Sequence, residues 1–206
     1  IWRMSADDVQ GLLGHFDPAL PLTADEIKGF GTWFDYDRMV KPYIREHVLN
    51  GLFGDYTNEV KERFLDIEQY GVYRFKKAYN TQKKIEAFFI KNQDKMEEHK
   101  IAILQNGLFA LFCEVLFIED SKKQGTFHPR IAFHSTYSYR DLDNGAKNAL
   151  NNLYNHFYYQ KHNDFWKEQA MKKLPALLQA TNMLVCGEDL GMIPECVPSV
   201  MHDLYI

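Results

Sequence analysis

Apolar residues recur at spacings of three and four along much of the chain, which is the spacing of one face of an α-helix. The pattern is longest in two segments. Residues 93–119 begin polar and become apolar on most faces, which predicts a helix whose second half lies in the core. The other segment follows Leu150 and continues past Trp166 to Pro175, where we expect the helix to break or kink.

Shorter helices are predicted from their start signals and amphipathic patterns. The sequence Thr23-Ala-Asp-Glu26 has the form of a capping box. Asp37 is expected to cap a helix over residues 38–53, with Pro42 in its opening turns. Further short helices are predicted in residues 58–68, residues 80–92 and "PECVPSVMHDL", and "YGVYRFKKAYN" between the first two can hold an extended segment.

A single confident strand is predicted, at Met183–Cys186, directly before an acidic turn and the last helix. One strand cannot form a sheet, because its backbone groups need partners. A strand followed by a turn and a helix is half of a βαβ unit. Neighbouring strands are therefore expected in segments taken here for loops or, as we favour, in a longer parent chain. The opening "IWRMS", without an initiator Met or a signal sequence, favours the same interpretation.

Composition narrows the classes of function. The 206 residues, 46% of them hydrophobic, suffice for one large or two small domains with a real core. A net charge of −4 provides no electrostatic reason to expect nucleic acid or an anionic membrane as a partner. The most apolar run, Ile101–Ile118, contains Gln105, Asn106 and Glu114, so a buried helix is predicted there and not a membrane span.

Three cysteines without metal-ligand spacing predict buried free thiols and a reducing, cytoplasmic location. A disulfide between Cys186 and Cys196 is the minor alternative. His156 and His162 would lie on opposite faces of one helix and cannot share a metal there. No phosphate loop or nucleophile elbow is present, so neither a metal nor a cofactor is predicted.

The adjacent acids Glu188 and Asp189 in "LVCGEDLGMIP" follow the predicted strand. In a parallel barrel, catalytic groups lie at the carboxyl ends of strands. Glu188 would suit a general acid/base there if a second carboxylate raised its pKa. The alternative is a polar turn whose acids favour a helix N-terminus, and spacing alone favours this alternative.

A long non-helical connection, "DSKKQGTFHPRIAFHSTYSYRDLDNG", precedes the second long helix. It interleaves Arg130, His134 and Tyr137 with aromatic residues, and such a loop can hydrogen-bond to a sugar and stack on it. The alternative is a loop whose aromatic residues only anchor it to the helical body, and the residues alone favour this alternative.

Several blocks together resemble one enzyme family. They are "IWRMS", "GHFDPALP", "FHPRIAFHSTYSY" and "YYQKHNDFWKEQAMKKLPALLQATNMLVCGEDLGMIPECVPSVM". In this order they are similar to the long form of the 4-α-glucanotransferases (amylomaltase or disproportionating enzyme). The resemblance implies an α/β fold, a fragment of a (β/α)8 TIM barrel from strand 4 to strand 5 with a large, mostly α-helical insertion.

The resemblance also implies a division of the chain. Residues 1–28 would follow barrel strand 4, and residues 29–140 would be the helical insertion. Residues 141–206 would contain a barrel helix, strand 5 at 183–186 and the next helix. Glu188 matches the family's general acid/base in its Glu-Asp-Leu-Gly motif, and Asp189 would support it. The motifs of the nucleophilic aspartate and of the third acid are absent from this chain, so the isolated chain is expected to be inactive.

The expected activity is retaining transfer of α-1,4-linked glucosyl units from maltose or maltodextrin to a sugar acceptor, such as glucose, maltodextrin or a heteroglycan. Nucleic acid and membranes are not expected partners, and the sequence does not determine the oligomeric state. Two alternatives stay open. One is a non-catalytic helical module that binds glycan or a partner. The other is an α-glucan hydrolase on a related barrel.

Overall fold

The computed structural model describes residues 4–14, 19–186 and 193–206, apart from the side chain of Gln69. The α-helices of the described residues are α1 Ala6–Leu12, α2 Ala24–Gly29, α3 Tyr36–Met39, α4 Glu46–Phe53, α5 Thr57–Phe64, α6 Gln82–Asn92, α7 Glu98–Phe112, α8 Tyr137–Arg140, α9 Asn144–His156, α10 Asn163–Gln179 and α11 Val197–Leu204. The strands are β1 Leu22–Thr23, β2 Leu65–Ile67, β3 Tyr73–Phe75, β4 Phe117–Glu119 and β5 Thr126–Pro129.

Helix starts follow local capping chemistry. At α2 the predicted capping box is confirmed: the Glu26 amide donates to the Thr23 hydroxyl at 3.2 Å, and Glu26 accepts from the Thr23 amide at 2.7 Å. The predicted Asp37 cap is wrong, because Asp35 caps α3. The helix predicted over residues 38–53 is split into α3 and α4, since Pro42 lacks an amide hydrogen and disfavours a helical residue before it.

Short strands replace two predicted helix ends. Residues 65–67 form β2, which pairs with β3 in an antiparallel hairpin, so the extended segment predicted within residues 70–80 is confirmed. The long helix predicted to Glu119 ends as α7 at Phe112, and β4 follows. A short apolar run fits a buried strand as well as a buried helix, so periodicity cannot separate them.

Strand β5 is the centre of a three-stranded antiparallel sheet, with β1 on one side and β4 on the other. Every residue of β5 is buried. All the strand pairs of the described residues are antiparallel, and these residues form no closed barrel.

The strand predicted at Met183–Cys186 is not formed in the structure. Met183 and Leu184 are 77% and 83% exposed. The backbone of a strand needs a neighbour to bond, and the described part of the chain places none beside these residues. The final helix is confirmed as α11, with Pro198 in its first turn. Pro175 lies inside α10 without ending it.

Buried apolar side chains form three core clusters. The first core cluster lies between α4, α5, α6, α7 and the β2–β3 hairpin, with members that include Leu49, Phe53, Phe64, Phe89, Leu108 and Phe112. The second packs the three-stranded sheet against α9, with members that include Leu22, Ile27, Leu116, Phe127, Leu150 and Phe157. The third joins α1 to the start of β4 through Val9, Leu12, Leu13, Val115 and Ile118.

The second core cluster contains residues from each of the predicted divisions 1–28, 29–140 and 141–206. These divisions share one core, and the boundaries between them stay predictions. The segment from 29 to 140 contains strands β2 to β5 besides its helices.

The described residues contain no disulfide, and they contain no helix that could span a membrane. All three cysteines are free thiols: Cys196 is buried, Cys113 is half-buried and Cys186 is exposed, so the prediction of burial is wrong for Cys186. Among the described helices, none combines the length and the apolar character needed to cross a bilayer.

Candidate functional site

Glu188 and Asp189, the predicted catalytic pair, lie outside the described residues, in the gap between residues 186 and 193. Their roles as general acid/base and supporting acid therefore stay predictions. The structure does describe the other predicted site residues, which follow β5 in the loop that leads to α8.

Arg130 comes directly after β5 and points into the protein. Its amide donates to the Leu116 carbonyl at 2.9 Å, and its Nη1 donates to the Cys113 carbonyl at 2.6 Å. Its Nε is buried without a hydrogen-bond partner. Burial lowers the pKa of Arg130, and the nearby carboxylate of Glu114 opposes that shift. Arg130 therefore holds the loop against the end of α7.

Glu114 is the centre of this site, although the sequence did not single it out as a functional residue. Its Oε2 accepts from the Tyr137 amide at 2.9 Å and from the Ser138 amide at 3.4 Å. Its backbone carbonyl accepts from the Tyr43 amide at 2.8 Å. Burial raises the pKa of Glu114, and the two amide bonds and the charge of Arg130 act against this. An acid inside the most apolar run of the chain was the signal that could have found it.

Tyr137 meets Glu114 through its amide, while its ring turns towards α4. The ring centroid lies 5.9 Å from that of His47, and the Arg140 guanidinium lies 5.2 Å from the Tyr137 ring. A Cβ added to Gly51 would come within 2.3 Å of the Tyr137 hydroxyl, so the ring needs a glycine at that point of α4.

His134 lies apart from Arg130 and Tyr137. Its ring is exposed, stacks on Phe133 with centroids 4.2 Å apart, and bonds through Nε2 to the Asn151 amide oxygen at 2.9 Å. The structure thus brings Arg130 and Tyr137 together at Glu114 and places His134 on the α9 side. In these contacts all three residues anchor the loop, and a role in sugar binding stays a prediction.

A network of charged and aromatic side chains adjoins Glu114 on the other side. Two guanidinium groups, those of Arg38 and Arg45, lie 4.0 Å and 4.5 Å from the centroid of the Tyr43 ring. The Tyr43 hydroxyl donates to Asp141 at 2.7 Å, and His47 lies 2.8 Å from the same carboxylate oxygen. Burial, followed by the bond to Asp141, raises the pKa of Tyr43.

An open cleft of about 510 Å³ lies where the three core clusters meet. Its apolar floor is formed by Val40, Pro42, Phe112, Val115, Phe117 and Ile118. Its polar rim contains Tyr36, Lys41, Glu119, Asp120, Ser121 and Gln124. None of these rim residues was predicted from the sequence, because they come from two distant segments, and Tyr36 and Glu119 are 83 positions apart.

The described residues contain no cluster of side chains that could bind a metal ion. They contain no group of three or more His, Cys, Asp and Glu side chains in a suitable arrangement. The buried His128 is bound instead to Asp120, with Nε2 2.8 Å from the carboxylate oxygen.

We expect Glu114→Gln to change the pH dependence of stability. Since burial raises the pKa of Glu114, the folded protein holds this proton more tightly than the unfolded chain. The contribution of Glu114 to the free energy of unfolding therefore falls as pH rises from the unfolded pKa to the folded one. The measurement is urea unfolding of the wild type and of Glu114→Gln at pH values below and above 4.5, the ordinary pKa of glutamate. As pH rises, the free energy of unfolding of the wild type should fall relative to that of Glu114→Gln.

Glu46→Gln is the matched control, with the opposite sign. Bonds from Tyr73 and Lys61 lower the pKa of Glu46, so its contribution is present above the unfolded pKa and is lost as pH falls. Equal slopes for the two variants would contradict the assignment of Glu114 as a buried acid.

Comparisons with known proteins define the class. The Glyco_hydro_77 family model, described as 4-alpha-glucanotransferase, matches residues 25–206, and the chain therefore belongs to this glycoside hydrolase family. It is 37% identical over 205 residues to the 4-alpha-glucanotransferase DPE2 of Oryza sativa subsp. japonica. That alignment covers 99% of this chain and 22% of the rice protein, so the chain spans about a fifth of the length of that relative. No solved structure matches the chain significantly.

Proposed function

We propose that this chain is the part of a retaining 4-α-glucanotransferase that carries its general acid/base, Glu188. The observation that carries the proposal is the family match over residues 25–206, which includes the "GEDLG" segment. Family membership also supports a placement of the chain between strands 4 and 5 of a (β/α)8 barrel. The antiparallel sheet and its helices would then belong largely to the insertion of the long form.

In the proposed mechanism Glu188 acts twice. It first protonates the glycosidic oxygen of the leaving sugar, while an aspartate of the parent enzyme forms a glycosyl-enzyme bond. It then removes the proton from the 4-hydroxyl of the acceptor sugar, which attacks that bond and restores the α-linkage. Retention requires the two carboxyl groups to lie about 5–5.5 Å apart. Asp189 would orient Glu188.

The proposed donors are maltose and maltodextrins, with glucose, maltodextrin or a heteroglycan as acceptor. The free thiols of the chain support a reducing compartment such as the cytoplasm. Nucleic acid is not among the proposed partners, since the net charge is −4.

Transfer is tested by counting reducing ends while the intact enzyme acts on maltotriose. Transfer makes one glycosidic bond for each bond broken, so longer and shorter maltodextrins should accumulate at a constant number of reducing ends. A number of reducing ends that rises with each cleavage would identify a hydrolase instead. Glucan binding without any redistribution of chain lengths would identify a non-catalytic module.

A further inference from the structure

The cleft between the core clusters has an apolar floor and a polar rim. Its floor consists of buried apolar side chains from the end of α7 and from β4, including Phe112 and Phe117. Its rim is formed by Tyr36 at the start of α3, by Glu119 at the end of β4, and by Asp120 and Gln124 in the turn between β4 and β5. Its volume of about 510 Å³ lies in the range of small-molecule sites.

Tyr36 provides an aromatic ring that is held in place before any ligand binds. Its hydroxyl donates to Glu119 Oε2 at 2.8 Å, and its ring packs edge-on against Phe127 with centroids 6.1 Å apart. The residue is nevertheless 41% exposed. Lys41 lies 5.9 Å from the ring and is paired with Asp37 at 2.5 Å. A ring fixed in this way costs little further ordering on binding.

The carboxylates of the rim are fixed as well. Glu119 Oε1 accepts from the Gly125 amide at 3.0 Å. Asp120 accepts from the Lys122 and Lys123 amides at 2.7 Å and 2.6 Å, and its other oxygen faces His128. Although burial raises the pKa of Asp120, the bond from His128 and the two amides outweigh it and lower that pKa overall.

These groups select the chemical class of the ligand. A carboxylate oxygen can accept two hydrogen bonds. Each oxygen of Glu119 has one protein donor and keeps one position for a ligand hydroxyl. Asp120 keeps one position on Oδ2, since its Oδ1 is filled by two backbone amides. A phosphorylated or carboxylated ligand would be repelled by Glu119 and Asp120. A purely apolar ligand would bury these carboxylates without new partners. A neutral molecule with many hydroxyl groups and an apolar ring face satisfies both the rim and the Tyr36 ring.

We propose that this cleft binds a neutral oligosaccharide, with Tyr36 stacking on a sugar ring and Glu119 and Asp120 accepting from its hydroxyl groups. That the sugar is a short α-glucan rests on the proposed function. The site is a second contact with glucan, built from α3, the end of β4 and the β4–β5 turn, and not from the "GEDLG" segment.

The test uses titration calorimetry with maltoheptaose on the intact enzyme carrying Glu188→Gln, which is expected to slow turnover at least about 10²-fold. Adding Tyr36→Ala should weaken binding about fivefold to tenfold, the scale of one lost aromatic contact. Tyr36→Phe keeps the ring and should retain most of the affinity. Ser121→Trp, an exposed turn position, should abolish binding at the cleft by filling it.

Tyr159→Ala is the matched control, because Tyr159 is 47% exposed and lies outside the cleft. This variant should bind maltoheptaose with the same affinity as the enzyme that carries Glu188→Gln alone. The thermal midpoint of each variant shows whether it is folded. Unchanged affinity in both Tyr36→Ala and Ser121→Trp would overturn the proposal. The transfer assay on the enzyme with Glu188 intact is independent of this result, so a normal transferase with an inert cleft would refute only the cleft.

Discussion

Glu188→Gln in the intact enzyme is expected to lower turnover at least about 10²-fold, the usual scale for loss of a general acid/base. Glutamine has nearly the same shape but cannot give a proton to the leaving oxygen or take one from the acceptor. The measurement is the initial rate of chain-length redistribution with maltotriose. The same loss should appear at saturating donor, because the missing interaction acts in the transition state.

Substrates that need neither the general acid nor the general base test the role of Glu188 directly. A maltosyl fluoride donor needs little protonation of its leaving group, and azide needs no deprotonation to attack. The two together should restore much of the lost turnover of Glu188→Gln, with a glycosyl azide as product. Glu195→Gln removes a neighbouring exposed carboxylate and should keep normal turnover. Full activity of Glu188→Gln with maltotriose would refute the assignment.

Phe64→Ala is expected to reduce the free energy of unfolding by about 3–5 kcal/mol, the usual cost of removing a buried ring. Phe64 is fully buried at the end of α5. Its ring packs against Tyr79, Phe88 and Phe89, with centroids 4.9, 5.3 and 6.0 Å away. Tyr79 lies in the turn before α6, and Phe88 and Phe89 are adjacent in α6, so the helix backbone restrains these rings and a cavity should remain. Urea unfolding of the chain measures the loss.

Tyr70→Ala is the matched control for Phe64→Ala. Tyr70 lies in the turn between β2 and β3 and is 95% exposed, so the change should stay within about 0.5 kcal/mol. Similar losses in the two variants would mean that the first core cluster does not depend on the packing of Phe64.

Local chemistry made much of the helical structure predictable. The capping box of Thr23 and Glu26 and the proline in the first turn of α11 act within a few residues, so the sequence displays them directly. The ends of α5 and α7 were not predictable in this way. Phe117–Glu119 becomes β4 because β5 lies beside it, and that neighbour is brought close only by folding.

The candidate site shows the same division. Arg130, His134 and Tyr137 were predicted as one group because they share a loop. Arg130 and Tyr137 do lie near each other, but through the segment just after α7. Arg130 donates to the Cys113 carbonyl, and the Tyr137 amide donates to Glu114. His134, from the same loop, turns to Asn151 on α9. Spacing along a loop does not determine which side chains point inward, because that depends on the surface against which the loop packs.

The sequence by itself determined the family, the helical character of the chain and the identity of Glu188 as the candidate acid/base, because motifs and helix signals are local. The tertiary structure decided which residues share a surface. It joined Tyr36 to Glu119 across 83 positions and placed Leu22 beside Phe127 in one sheet. It also left Met183 and Leu184 exposed and unpaired with any described strand. Strand pairing and clefts depend on contacts between distant segments, and only the folded chain brings those segments together.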